Sequence, residues 1–185
     1  MTWIQTVSGE RFDYTAPGGF RIWEIATALG NECRYGGHCK RFYSVAEHSV
    51  HVLGVVAGRA DMAGNKEALR AALLHDGAEA YCKDIPRPLK LLLPRYRAIE
   101  DRVDAALRAQ FRITHEHDEI VKWADMAVFR AEARQVQARP QQPHEQDPGG
   151  VDLAGDVADI TVRFLPPEQA RDWFLSAWRA LEKMA

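Results

Sequence analysis

The chain has 185 residues, 46% of them hydrophobic and 27% charged, which is the composition of one ordinary globular domain with a sizeable core. Its formal net charge of -2 gives no overall attraction to nucleic acid or to anionic membranes, so neither is an expected partner. Because the N-terminus lacks a secretion signal, no apolar run approaches about 18 residues, and the three cysteines have no metal-type spacing, we expect a cytoplasmic protein with plain thiols.

The first predicted elements are a hairpin, a helix and a loop. Residues 3–14 contain a Ser-Gly turn signal that is typical of a small β-hairpin. Apolar residues keep helical spacing from Ile22 to Leu29, and Gly30-Asn31 supplies a stop signal. The following segment "CRYGGHCKRFY", residues 33–43, is rich in glycine and basic residues and has no periodicity, which predicts a loop.

The rest of the chain also has a helical period. Ser44 begins a capping box with Glu47, and the helix that follows points His48 inward. Further helices are predicted at about 66–82, at 94–111 after an extended turn at Pro86 and Pro88, from an N-cap at Thr114 to 137, and after Pro166-Pro167. Residues 139–150 are polar and rich in helix breakers, which predicts a flexible loop within a single domain spanning 1–185.

The stretch "LLHDGAEAYCKD", residues 73–84, places one histidine and three carboxylates in a run that is otherwise apolar. Side chains three and four positions apart are neighbours on a helix, so His75 and Asp76 are both expected to face Glu79. Burying such groups costs several kcal/mol unless they are paired or bind a metal. A divalent cation bound by the imidazole and the carboxylate together would remove this cost.

Two more ligands are candidates from other predicted helices. His48 faces inward on an earlier helix, and Asp125 interrupts an apolar stripe on a later one. Neither is decisive alone, since a lone inward histidine is more often a hydrogen-bonded core residue and a lone aspartate on a helix is usually solvated.

Together these residues resemble the HD-domain metal-dependent phosphohydrolases, whose pattern is H…HD…D in an all-helical bundle. The segments "AEHSVHV", "ALLHDGAEAYCKD" and "KWADMAVF" carry the pattern in the family's order, and the resemblance covers about residues 22–135. It implies an all-α HD-domain bundle, here with the small N-terminal β-hairpin. Glu79 and Asp84 correspond to the catalytic carboxylates of the bacterial 5'-deoxynucleotidases and the phage dATP triphosphohydrolases. The loop before Ser44 looks particularly like the corresponding loop of the phage enzymes.

The resemblance assigns a role to each part of the predicted site. The metal ligands would be His48, His75, Asp76 and Asp125. The ion would be Co, Mn, Zn or Fe, with Mg possible alongside the substrate phosphates. Glu79 would accept or orient the proton of the attacking water. Asp84 would hold the leaving group or the sugar, although a helix-capping role competes with this.

Candidate substrate contacts lie on both sides of the predicted metal helix. By the resemblance, Arg34 grips the substrate phosphate, which suits the fork geometry of a guanidinium. Weaker candidates are the cations and apolar residues near it: His38, Lys83, Arg87, Ile22 and Trp23. Exposed lysines and arginines usually only solvate a surface, and apolar residues at helical positions are more often part of the core.

The expected function is a metal-dependent phosphohydrolase of nucleotides. The triphosphate form of the reaction, which releases a deoxynucleoside and tripolyphosphate from a substrate such as dATP, is favoured by the "CRYGGH" loop and by the number of nearby cations. A 5'-deoxynucleotidase acting on monophosphates, a cyclic-nucleotide phosphodiesterase and a non-catalytic nucleotide-sensing module remain alternatives. The expected partners are a small nucleotide and further copies of this chain in a homo-oligomer.

Overall fold

The computed structural model describes residues 1–138 and 155–184, which are mostly helical with one small antiparallel sheet. The loop predicted at 139–150 lies outside the described residues. Strands β1 (Trp3–Gln5) and β2 (Arg11–Asp13) pair with Ile4 opposite Phe12, and Gly9 takes a positive φ of 85° in the turn between them. The predicted all-α class with an N-terminal hairpin is therefore confirmed.

The helices are numbered here in chain order. They are α1 (Ile22–Asn31), α2 (Val45–Ala57), α3 (Lys66–Leu74), α4 (Glu79–Cys82), α5 (Arg87–Leu91), α6 (Pro94–Phe111), α7 (Asp118–Val136) and α8 (Pro167–Glu182). Short 3-10 turns lie at Arg34–Gly37 and Ala60–Met62. Within the described ranges, none of these helices is both long enough and apolar enough to cross a lipid bilayer.

The core is organised around α2. This helix packs against α1, α3, α7 and α8, and α8 in turn closes over α1 and α3. Side chains with no exposed surface include Ile25 of α1, Val52 of α2, Leu73 of α3 and Phe174 of α8. Burial of a side chain of this size contributes roughly 1.5 to 3 kcal/mol, so these contacts fix the position of α2 in the middle of the bundle.

The two side chains of the capping box at the start of α2, Ser44 and Glu47, accept hydrogen bonds from different segments of the backbone. The Ser44 hydroxyl accepts a hydrogen bond from the Glu47 N–H at 3.1 Å, which confirms Ser44 as the N-cap. The Glu47 carboxylate instead accepts hydrogen bonds of 2.6, 3.2 and 2.8 Å from three consecutive backbone N–H groups in the segment 163–165 that leads into α8. Glu47 has no exposed surface, so these bonds satisfy a buried charge.

The single helix predicted at 66–82 is wrong in detail, because α3 stops at Leu74 and α4 starts only at Glu79. Between them the Gly77 N–H bonds to the Leu74 carbonyl at 2.8 Å, which is the tighter i to i-3 pattern. A Cβ on Gly77 would lie 2.9 Å from Leu107 Cδ1, so α6 approaches this turn more closely than any other residue would allow.

Two other boundaries differ from the predicted ones. A short helix, α5, replaces the extended turn at Pro86 and Pro88, because proline is tolerated in the first turn of a helix. Helix α7 begins at Asp118 rather than after an N-cap at Thr114. The Thr114 hydroxyl and N–H both donate to Glu67 of α3, at 2.5 and 2.9 Å, so this residue joins two elements and does not cap a helix.

Candidate active site

Three elements bring the predicted metal ligands together. His48 lies in the first turns of α2, His75 and Asp76 lie in the turn after α3, and Asp125 lies in the middle of α7. The His48 Nε2 atom is 3.2 Å from His75 Nε2 and 3.1 Å from Asp125 Oδ1. His75 Nε2 is 3.1 Å from Asp76 Oδ2, so two imidazoles and two carboxylates converge.

The outer nitrogen of each imidazole has a partner that fixes the orientation of the ring. His48 Nδ1 lies 2.7 Å from Oε1 of Glu132, and His75 Nδ1 lies 2.9 Å from the carbonyl oxygen of Ala72. Both partners are acceptors, so in a neutral ring Nδ1 carries the hydrogen and Nε2 presents its lone pair. This is the arrangement that orients histidine ligands in metal sites.

The donor set fits a metal ion. One ligand atom each from His48, His75 and Asp76 can be chosen so that all lie within 4.8 Å of one another, and this group could hold a metal ion. The Asp125 Oδ1 atom lies 3.1 and 3.8 Å from the two Nε2 atoms and is placed to join it. Nitrogen and carboxylate donors in this combination are those that Zn, Co, Mn and Fe accept.

The pKa values of the candidate metal ligands reflect the excess of negative charge around them. Burial and the nearby Arg34 oppose protonation of His48, but the Glu132 charge and hydrogen bonds to Asp125 and Glu132 raise the pKa of His48 to about 10. Burial likewise opposes ionisation of Asp76, yet the facing histidines and Arg34 keep the pKa of its carboxyl well below the usual range. The pocket between these side chains therefore favours a positive charge.

Glu132 is the functional residue that the sequence reasoning missed. It has no exposed surface, and besides His48 its carboxylate accepts hydrogen bonds from the hydroxyls of Tyr43 and Tyr35. Arg34 Nη2 lies 3.4 Å from its Oε2 atom. Glu132 follows Asp125 by seven residues, or two helical turns, on the buried side of α7. A charged residue on an otherwise apolar stripe was the signal that would have found it.

Arg34 lies in the loop between α1 and α2, where the sequence predicted the phosphate-binding residue. Its guanidinium contacts Asp76 at 3.5 Å and Glu132 at 3.4 Å, and the residue is only 9% exposed. The Nε atom is buried and has no hydrogen-bond partner among the described residues. Leaving a buried donor unpaired costs about 1 to 3 kcal/mol, so a ligand that accepts from Nε would recover this energy.

Glu79 opens α4 and is 7% exposed. Its Oε1 atom lies 3.3 Å from Lys90 Nζ, and Oε2 is buried with no partner in the described part of the chain. Burial, together with the charges of Asp76 and Asp84, raises the pKa of the Glu79 carboxyl well above its usual range. Carboxyls with such a shifted pKa are common among groups that transfer protons in active sites.

A cavity of about 520 Å³ joins these groups. Its charged and titratable lining residues are Arg34, His38, Asp76, Glu79, Asp84, Arg87, Lys90 and Asp125. The rest of the described lining consists of Gln137 and of a mainly apolar wall formed by Tyr35, Ile85, Pro86, Pro88, Met126 and Phe129. His48 and His75 are not part of this lining. Burial and the Asp76 charge raise the pKa of Asp84, against the opposing effect of Arg34. Asp84 lines the cavity, and Pro86 is the N-cap of the helix that follows, so Asp84 does not cap it.

Three of the predicted substrate contacts lie elsewhere. Lys83 is well exposed and its Nζ pairs with Glu32 at 2.5 Å. Trp23 is 42% exposed on α1, and Ile22 packs against the hydrophobic core. None of Lys83, Ile22 and Trp23 belongs to the described lining of the cavity, so the structure does not bring them to the site.

Comparison with known proteins shows which family the chain belongs to but does not identify an activity. No known family profile matches the sequence. The protein named "Uncharacterized protein YfdR" of Escherichia coli (strain K12) is 38% identical over 138 residues, which cover 74% of this chain and 73% of YfdR. An identity of this size over most of both chains is enough to establish common family membership. The chain described here therefore belongs to the same protein family as YfdR.

Proposed function

We propose that this protein is a metal-dependent phosphohydrolase of the HD-domain type that acts on deoxynucleotides, with a deoxynucleoside triphosphate as its preferred substrate. One observation carries the proposal. A single cavity is lined by two of the ligand candidates, Asp76 and Asp125, and by Arg34 and Glu79, whose buried Nε and Oε2 atoms have no hydrogen-bond partner among the described residues. Hydrolysis of a phosphate ester needs all three parts: charge neutralisation, phosphate binding and a proton acceptor.

Arg34 is the proposed phosphate-binding residue. Its guanidinium is held by Asp76 and Glu132, so its orientation is fixed before a substrate arrives. The unpaired Nε would donate to a phosphate oxygen, and an N–H bond to a charged acceptor is about twice as strong as a neutral one. Arg87, which lines the same cavity, would add positive charge for the remaining phosphates, and His38 would offer a further side chain for hydrogen bonding.

Glu79 is the proposed proton acceptor. Its unpaired Oε2 would take a proton from the attacking water, while Lys90 holds Oε1 in place. In the triphosphate reaction the water oxygen bonds to the α-phosphorus, the bond from phosphorus to the 5' oxygen breaks, and the 5' oxygen leaves with a proton. Asp84, on the same cavity wall, is proposed to hold that leaving group.

A divalent ion held by His48, His75, Asp76 and Asp125 would supply Lewis acidity that polarises the phosphoryl group. The two imidazoles favour Mn, Co, Zn or Fe over an all-oxygen Mg site. Mg is then expected only together with the outer phosphates of the substrate.

The apolar part of the cavity supports a nucleotide rather than a simple phosphate ester. Tyr35 and Phe129 lie with their ring centroids 6.1 Å apart, and Met126 also lines the cavity. A cavity of about 520 Å³ is within the usual range for small-molecule sites, and a base can lie against such a wall.

A specific observation also supports the monophosphate reaction as a second candidate. Two of the cavity's cations already have acidic partners, since Lys90 pairs with Glu100 at 2.7 Å and Arg34 pairs with Glu132. This lowers the positive charge that remains for a triphosphate tail. A 5'-deoxynucleotidase, which releases one phosphate, would need less of it.

The two reactions are separated by their products. Metal-free protein would be supplied with Mn, Co, Zn or Mg and incubated with deoxynucleoside mono-, di- and triphosphates, and the products would be identified by phosphorus NMR. Tripolyphosphate from triphosphates alone supports the first candidate, and orthophosphate from monophosphates supports the second. Nucleotide binding without turnover under every metal would contradict both and favour a sensory module.

A further inference from the structure

Two cysteines bracket the loop that carries Arg34. Cys33 precedes the arginine, Cys39 follows His38, and their Sγ atoms lie 3.6 Å apart as a thiol hydrogen bond. Both thiols are free and partly buried. A disulfide bond is about 2.05 Å long, so the two sulfurs need to approach by only about 1.5 Å. Thiols six residues apart in sequence reach this distance only because the loop turns back on itself.

The loop is held at both ends, since the Lys40 N–H next to Cys39 bonds to the Val136 carbonyl at 2.9 Å, and two glycines lie between the cysteines. Cys33 forms an antiparallel bridge with Ser44, and the Arg34 N–H bonds to the Tyr43 carbonyl at 2.9 Å. On the far side Gly36 and Gly37 are exposed and have positive φ values of 58° and 81°. Glycine adopts many backbone conformations at low cost, so the approach of the sulfurs would come from rotation about Gly36 and Gly37.

We propose that Cys33 and Cys39 form a reversible intramolecular disulfide, which makes this loop a site of redox modification. With a low-molecular-weight disulfide as oxidant, one cysteine attacks it and forms a mixed disulfide, and the second cysteine displaces the remaining half. Two protein thiols lose two protons and two electrons, and the oxidant becomes two thiols. In the structure both cysteines are free thiols, as the sequence predicted, and the proposal concerns their oxidation.

The reaction is expected to be slow. Burial and the Cys33 thiol raise the pKa of Cys39 to about 11, so this residue is rarely a thiolate at neutral pH. The thiolate is the reactive form, and the expected timescale is therefore minutes to hours. The bond would fix the spacing between Arg34 and His38, which both line the cavity. The modification does not depend on the proposed function, because it can be measured without any substrate.

The remaining cysteine provides an internal control. Cys82 lies on α4 with 8% of its surface exposed and is a free thiol. The full chain, reduced and then treated with oxidised glutathione, is expected to retain one free thiol of its three after the protein is denatured without reductant. Peptide mapping should join Cys33 to Cys39, and dithiothreitol should restore all three thiols.

Variants make the assignment specific. Cys82→Ser should still lose two thiols, whereas Cys33→Ser and Cys39→Ser should each form only a glutathione adduct. Closing a seven-residue loop should raise the Tm of the oxidised wild-type protein by about 4 to 8 °C. Three thiols that all survive prolonged oxidation, a bond that involves Cys82, or a dimer linked through cysteine would each overturn the proposal.

Discussion

Replacing Glu132 tests whether a carboxylate without any exposed surface controls metal binding at the candidate site. This side chain holds His48 through Nδ1 at 2.7 Å and faces the Arg34 guanidinium at 3.4 Å. In Glu132→Gln one side-chain oxygen remains to accept from His48, but the charge that balances Arg34 is lost. In Glu132→Ala the charge and both side-chain oxygens are lost, so His48 Nδ1 has no acceptor that fixes the orientation of the ring.

The size of the effect follows from these distances. Opposite charges 3.4 Å apart attract by about 5 kcal/mol at an effective dielectric constant of about 20. Asp76, at 3.5 Å, remains as a second partner for Arg34, so we expect Glu132→Gln to lower the free energy of unfolding by about 2 to 3 kcal/mol. Glu132→Ala also leaves His48 Nδ1 and the Tyr43 hydroxyl without their acceptor and should cost about 3 to 5 kcal/mol. Loss of a carboxylate that orients a ligand typically weakens metal binding by about 10- to 100-fold.

The assay is a calorimetric titration of the metal-free protein with Mn, together with thermal unfolding followed by circular dichroism. Glu132→Gln should bind the metal about 10-fold more weakly and Glu132→Ala about 100-fold more weakly. The matched control is Glu119→Gln, an exposed carboxylate in the first turn of the same helix, which should change stability by less than about 0.5 kcal/mol.

Metal affinity equal to that of the wild type in Glu132→Gln and in any folded Glu132→Ala protein would refute this reasoning. Weak binding by the alanine variant alone would not be enough, since a cavity in the core can disturb α7 as a whole. Glutamine has nearly the same shape as glutamate, so the metal affinity of Glu132→Gln is the measurement that decides the test.

The remaining predictions concern the other parts of the site and the turn that supports it. His75→Ala should lose the bound metal, by elemental analysis, and all turnover; retained stoichiometric metal would remove His75 from the ligand set. Arg34→Ala should reduce kcat/KM by about 10- to 150-fold in the product assay, and kinetics like those of the wild type would exclude it from the site. Glu79→Ala should keep its metal while kcat falls by roughly 100- to 10,000-fold; loss of metal would make Glu79 a ligand. Gly77→Ala should lower stability to urea by about 1 to 3 kcal/mol, since its Cβ would lie 2.9 Å from a leucine of α6, whereas Gly54→Ala, with nothing within 4 Å, should not.

The groups that converge at the candidate site were predictable where a polar residue interrupts a helical stripe. His48 and Asp125 were singled out in this way, and the structure places them 3.1 Å apart. The same rule applies to Glu132, which the sequence reasoning did not use because no family motif pointed to it. Its partners, Tyr43 and Arg34, lie about 90 residues earlier, and local periodicity carries no information about such distant pairs.

The break between α3 and α4 was not predictable from local pattern. Residues 66–82 have helical spacing throughout, and a single glycine is tolerated within a helix. The turn at Gly77 exists because α6 packs against it, which is a tertiary contact. It also gives His75 and Asp76 a conformation in which their side chains meet at 3.1 Å, although they are adjacent in sequence. On a regular helix, adjacent residues do not face each other.

The three backbone bonds to Glu47 make the last part of the chain necessary for the site. Glu47 is adjacent to His48 in sequence. Its carboxylate oxygens accept hydrogen bonds from backbone N–H groups of the segment 163–165, which follows residues 139–154 in the chain. A premature stop before this segment would also remove α8, which packs against α2, so the Glu47 carboxylate would lose its three donors and become exposed beside His48. Shortened versions of the protein that end near residue 138 are therefore expected to disturb the candidate metal site even though they keep all four of its candidate ligands. A cut within 139–154, in contrast, would leave two pieces that Glu47 still holds together.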